Sequence, residues 1–82
     1  MNVLQGSVVR SLAGHDKDTY FVAVKADGSN VYIADGKERK LESPKKKNIK
    51  HLLVTQKSIE LSGITNKKLR KLLNEFKKMM AH

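Results

Sequence analysis

Two Asp-Gly pairs, Asp27-Gly28 and Asp35-Gly36, divide the first half of this chain into short runs rich in β-branched residues. Asp-Gly supplies the positive-φ residue that tight hairpin turns need. The runs are "SVVRSL" (7–12), "TYFVAV" (19–24) and "NVYIA" (30–34). Each carries the β-branched and aromatic residues that suit a pleated, half-buried surface. As strands, the second run puts Tyr20, Val22 and Val24 on one face. The third puts Val31 and Ile33 on one side and Tyr32 on the other. Three strands with tight turns make a meander, and in a chain of 82 residues a meander tends to curl into a small barrel.

The next stretch, "KERKLESPKKKNIKHLL" (37–53), threads apolar residues through a run of bases. "ERKLES" (38–43) is expected as a fourth strand, with Leu41 pointing inward. Pro44 has no amide hydrogen and stops regular pairing. "IKHLLVT" (49–55) is expected to return as a short closing strand. Its alternation leaves open which of its side chains face inward. On this reading Lys45, Lys46 and Lys47 form a tethered loop between two strands, with their side chains in solvent. Leu41, Ile49 and Leu52 or Leu53 pin the segment to the body. A disordered basic run would lack such anchors.

Past Thr55 the periodicity becomes helical. Residues 56–63 read as a connector, either extended or a short turn ending at Gly63. Leu69, Leu72, Leu73, Phe76, Met79 and Met80 follow 3.6-residue spacing and cover an arc of roughly 120°. Thr65 suits the N-cap, and Ile64 and Leu69 stand where a hydrophobic staple would place them. The expected organisation is a body at 1–55, the connector, and a basic amphipathic helix within 64–82. That helix should dock its Leu69, Leu73 and Phe76 face on the sheet or on a second copy of itself. A core this small leaves a stability of roughly 3–5 kcal/mol.

The net charge of +9 is unevenly placed. Residues 1–36 carry Arg10, Lys17 and Lys25 against Asp16, Asp18, Asp27 and Asp35. Residues 37–50 carry seven bases against Glu38 and Glu42, and residues 51–82 carry seven against Glu60 and Glu75. Clustered positive charge favours a polyanion, of which nucleic acid is the commonest. Solubility alone does not require such clustering. Lys45, Lys46, Lys47 and Lys50 would neutralise phosphates as point charges. Arg10 and Arg39 suit bidentate or stacking contacts. Lys17, Lys37, Lys40 and His51 complete the expected contact set. Tyr20 and Tyr32 are able to stack on unpaired bases. With only two Tyr and two Phe in the chain, core is favoured for Tyr20, while both roles stay open for Tyr32. A secondary basic face on the helix comprises Lys67, Arg70, Lys71, Lys77 and Lys78.

The stretch "QGSVVRSLAGHDKDTYFVAV" (5–24) resembles the KOW motif of ribosomal and transcription-factor domains, with Gly6, Val8, Gly14, Lys17 and Val22 at matching places. The block "ADGKERKLESPKKKNIKHL" (34–52) is a sharper signature. Together they resemble bacterial KOW-domain RNA-binding proteins, similar to the e-type large-subunit ribosomal protein fourteen of archaea and eukaryotes. The resemblance spans roughly residues 5–55. It implies a mainly β fold, an SH3-like five-stranded barrel, and binding of structured RNA, ribosomal RNA above all, through loops and a barrel edge. Asp18 stands where KOW loops often carry Gly, and Asp enters the left-handed region more readily than most residues. Carboxylates at Asp16 and Asp18 oppose a phosphate, so 37–51 is the expected contact rather than the first loop.

No catalytic constellation is visible. His15, His51 and His82 are scattered, and no nucleophile elbow, acid pair or phosphate-cradling glycine loop occurs. Without cysteine, no disulfide or thiolate metal site is possible. No cofactor is expected. No basic leader precedes an apolar run, and no apolar run approaches the roughly 18 residues that span a bilayer. The expectation is a cytoplasmic, non-enzymatic protein, a monomer or weak dimer. The alternative is a module that grips a partner protein or an anionic membrane through the basic amphipathic helix.

Overall fold

The structure, a computed structural model, describes residues 5–80. Strands β1 (Ser7–Ser11), β2 (Tyr20–Asp27), β3 (Asn30–Ala34), β4 (Lys45–Asn48) and β5 (Leu52–Ser58) precede one helix, α1 (Asn66–Met80). The strands form a single antiparallel sheet in the order β4-β3-β2-β1-β5. Asp27-Gly28 makes the β2–β3 turn, with Gly28 at φ 62°. The first three strands and the helix therefore form where the spacing of apolar residues and turn pairs predicts them.

The ladder does not close, because β4 and β5 are its two edges. Yet a three-residue 3-10 turn, Ile49–His51, joins those edges directly. In a flat sheet the edges would lie about 19 Å apart, at about 4.8 Å per gap. The chain from Asn48 to Leu52 reaches at most about 14 Å even when fully extended. The sheet must curl, and its two faces then have different surroundings.

Strand alternation sends Val9, Phe21, Ala23, Val31, Ile33 and Leu52 into the concave face, with Ile49 and Val54 packed beside them. The opposite face carries Val8, Val22 and Ala34. It is covered by Leu69, Leu73 and Phe76 of α1, together with Ile59. The apolar stripe of the helix is thus docked on the sheet. Tyr20 joins this second cluster, its ring meeting Phe76 edge-on at 5.2 Å between centroids. Such aromatic pairs add about 0.5–1.5 kcal/mol beyond burial. Thr65 caps the helix as expected, its Oγ1 accepting from the Lys68 amide at 3.1 Å. Ile64 lies against the same cluster as Leu69.

Two expectations are corrected. Residues 38–43 are not a strand, because their amides are engaged elsewhere. Asp35 Oδ1 accepts from the amides of Lys37 and Arg39, Ser43 N donates to the Lys40 carbonyl, and Leu41 N donates to Asn66 Oδ1. The fourth strand is instead the lysine run itself, beginning directly after Pro44. Lysine is a poor strand former in general but a common occupant of sheet edges, where it discourages pairing with another chain. The second correction shifts the closing strand. Asn48 accepts from the Lys50 amide at 3.0 Å and tightens residues 49–51 into the 3-10 turn, so β5 begins at Leu52. The connector divides between the end of β5 and an irregular segment in which Gly63 has φ 70°.

Candidate functional site

The β1–β2 loop carries Asp16, and Asp16 accounts for two of the lysines in β4. Register places Lys45 opposite Ile33 and Lys47 opposite Val31, so both point to the concave face. Lys47 Nζ donates to Asp16 Oδ1 at 2.6 Å, to Ser11 Oγ at 2.6 Å and to the Ala13 carbonyl at 2.8 Å. Its three ammonium hydrogens are all engaged. Lys45 Nζ reaches Asp16 Oδ2 at 3.1 Å. The side chains of Lys47 and Asp16 are only 10% and 16% exposed. The expectation that Lys45, Lys46 and Lys47 all project into solvent is therefore corrected. Lys46 alone turns to the other face and is exposed.

Burial by itself would raise the Asp16 carboxyl. Hydrogen bonds from Lys47, Ser11 and Lys45, together with the Lys47 charge, outweigh burial and hold it well below the usual carboxylate range. The neighbouring Asp18 is similarly engaged. It adopts φ 68°, the left-handed conformation that a Gly would otherwise supply, and its carboxylate pairs with Arg10. Both acids that would oppose a phosphate in this loop are thus neutralised by bases.

Loop 35–44 is fastened to the N-terminus of α1. Asn66 accepts the Leu41 amide at 2.8 Å and donates from Nδ2 to Glu42 Oε1 at 2.8 Å. Gly36, at φ 78°, packs so closely on Asn66 that a Cβ there would collide with the Asn66 carbonyl oxygen. Leu41 packs against the sheet–helix cluster. Fixed in this way, the loop faces α1 across a cleft of about 130 Å³, lined by Tyr20, Asp35, Lys37, Arg70, Leu73 and Lys77 among others. Lys37 also borders a second cleft of about 290 Å³ with Arg39, His15, Asp16 and Lys45. Two basic groups that are far apart in sequence therefore share one rim.

The secondary basic face splits in two. At about 100° per residue, Arg70 and Lys77 share one stripe of α1, while Lys67, Lys71 and Lys78 fall on another, roughly 70–110° around the axis. Only the first stripe lines the cleft with Lys37. Arg39 and Lys40 are exposed on loop 35–44, and Lys17 is exposed in the β1–β2 loop. Lys50 and His51 are exposed on the 3-10 turn that leaves β4 at the end opposite loop 35–44. They do not join the cleft. His82 lies outside the described residues. Among the described residues no three His, Asp or Glu side chains gather as a metal site requires.

Tyr32 is only partly buried and lies on the helix-bearing face of the sheet, two residues before Ala34 on the same strand. Its cross-strand neighbours are Lys25 on β2 and Lys46 on β4. Lys25 stands outside the contact set expected from the sequence. Strict alternation from Tyr20, Val22 and Val24 would point it inward. A bulge between Ala23 and Lys25 shifts the register and turns it outward.

Compared with known proteins, the chain matches no protein-family model and no curated protein. Among the described residues, no helix is long and apolar enough to cross a membrane.

Proposed function

We propose that this chain is a non-catalytic RNA-binding protein of the KOW type, built on an SH3-like barrel left open along one edge. Its ligand is structured RNA, ribosomal RNA foremost, and its setting is cytoplasmic translation. The observation that carries this reading is the meeting of Lys37 with Arg70 and Lys77 across a cleft beside Tyr20. Several convergent cations are what a phosphate backbone requires. The resemblance of residues 5–24 and 34–52 to KOW proteins supports the same class. Neutralisation of Asp16 and Asp18 removes the electrostatic objection to RNA near the first loop.

The alternative, a protein-binding or membrane-binding helix, needs the apolar stripe of α1 to be available. Leu69, Leu73 and Phe76 are buried against the sheet, which leaves only the terminal Met79 and Met80 strongly exposed on that stripe. The RNA reading is the stronger.

The test is fluorescence anisotropy with ribosomal RNA hairpins across a salt series, for the wild-type chain and for Lys37→Gln, Arg70→Gln and Lys77→Gln combined. The triple variant should bind more weakly. Its slope of log K against log[salt] should be shallower by about two to three, at 0.7–0.9 per lost phosphate contact. An unchanged affinity and slope would remove this cleft from the reading. Crosslinking in cells, followed by sequencing of the bound RNA, identifies the target.

A further inference from the structure

Resting on the RNA-binding reading, we propose that Tyr32, Lys25 and Lys46 form a stacking platform for an unpaired nucleotide, so that the RNA bound here carries a single-stranded loop or bulge rather than a continuous duplex.

Lys25, Tyr32 and Lys46 lie side by side on three adjacent strands, β2, β3 and β4, all on the helix-bearing face. The helix covers Ala34, one step of about 7 Å further along β3. Tyr32 itself is only partly buried, and both lysines are exposed. The result is one aromatic ring between two exposed cations. An aromatic face accepts any base by stacking, and flanking cations accept the phosphates on either side. A continuous A-form duplex keeps its bases stacked on each other and offers a protein its backbone and shallow minor groove, so an isolated aromatic ring has little to add there.

Lys25 Nζ stands over the Tyr32 ring, 6.0 Å from its centroid. That is the outer limit for a cation–π contact, and at an exposed site such a contact is weak. A base can displace the ammonium, which then swings on its four-carbon stem to an adjacent phosphate. Lys46 has no ion-pair partner among the described residues, unlike Lys45 and Lys47 on either side. The strand thus directs two lysines to Asp16 and one to the platform.

The experiment uses the full chain with a 12-nucleotide single-stranded RNA, a blunt duplex of the same length, and a hairpin whose loop is unpaired. Tyr32→Leu should lower affinity for the single strand and the hairpin by about 5- to 100-fold, as loss of one base–aromatic stack does. Affinity for the duplex should stay within about twofold. Tyr32→Phe should retain the wild-type affinities, since the ring and not the hydroxyl does the stacking. Lys25→Gln and Lys46→Gln are exposed changes that spare the fold, and each should lower the single-strand salt slope by about 0.7. Equal losses on duplex and single strand for Tyr32→Leu would overturn the platform, as would no loss on either. Either result leaves the cleft reading standing if the Lys37, Arg70 and Lys77 variant still loses affinity. Absence of binding to all three RNAs would overturn both.

Discussion

Lys47 Nζ on the edge strand β4 lies 2.6 Å from Asp16 Oδ1 in the β1–β2 loop, and this pair bridges the concave face of the curled sheet. Breaking a buried ion pair from one side strands the other charge, at a cost of about 3–5 kcal/mol. Asp16 keeps Lys45 at 3.1 Å and the Ser11 hydroxyl, and the pair has a small residual exposure, so the cost here falls below that range. Ser11 Oγ and the Ala13 carbonyl also lose a donor. Lys47→Gln is therefore expected to lose about 1–3 kcal/mol, a large part of what a core of this size provides. Lys46→Gln, one residue away but exposed, should stay within about 0.5 kcal/mol of wild type. Urea unfolding of the two variants checks this. Equal midpoints would mean that the Asp16 network contributes nothing.

The same network sets an acid dependence. Asp16 is held below its ordinary value when folded, so the unfolded chain takes up this proton at higher pH than the folded one. Its contribution is complete above the unfolded carboxylate value of about 3.9, and it is lost as pH falls through and below that value. Asp16→Asn lacks this charge at every pH. The stability gap between wild type and Asp16→Asn should be widest at pH 6–7 and should narrow steadily below about pH 4. Urea midpoints at several pH values measure it. A gap that stays constant down to pH 2.5 would show that the folded carboxyl is not held low.

The sequence made the apolar framework legible because period and turn chemistry act locally. Val31 and Ile33 against Tyr32, the Asp27-Gly28 turn, and the Leu69–Leu73–Phe76 stripe all follow from near neighbours in the chain. What escaped was long-range. Nothing local to Lys45 and Lys47 indicates that Asp16, some thirty residues earlier, folds beneath them. Nothing local to 38–43 indicates that Asn66 will capture the Leu41 amide. Lys25 was hidden by a bulge, which offsets alternation by one residue without a clear sequence mark. The clustering of the charged residues is plain in the sequence, but their partition between structural pairs and exposed cations depends on the curl of the sheet.

Gly36 tests how loop 35–44 depends on the helix. Its φ of 78° costs an L residue about 1–2 kcal/mol, and a Cβ would also run into the Asn66 carbonyl. Gly36→Ala should destabilise the chain by about 2–3 kcal/mol. Because Leu41 N and Glu42 are held by Asn66, the damage should appear first as faster hydrogen exchange at the Leu41 amide. RNA affinity should fall as well, since Lys37 is no longer held opposite Arg70. Unchanged protection at Leu41 would show that the loop keeps its place without the close approach at Gly36.

Position can be separated from charge by comparing the two stripes of α1. Lys37→Gln, Arg70→Gln and Lys77→Gln together remove three positive charges from the cleft rim. Lys67→Gln, Lys71→Gln and Lys78→Gln remove the same number from the stripe outside the cleft. All six side chains are exposed, so neither triple variant should shift the unfolding midpoint appreciably. The long-range field, which governs steering and non-specific attraction, falls equally in both. Association rates at low salt should therefore drop to a similar degree. Contacts made in the complex are local, because screening at physiological salt confines exposed charges to about 8 Å. The cleft variant should thus lose more affinity at 150 mM salt and show the shallower salt slope, by about two to three against one or less for the outer stripe. Stopped-flow rates and equilibrium titrations on the same hairpin give both quantities. If the two variants lose affinity equally, RNA senses only the net charge of the chain. A larger loss from the outer stripe would move the site about a quarter turn around α1, away from the cleft.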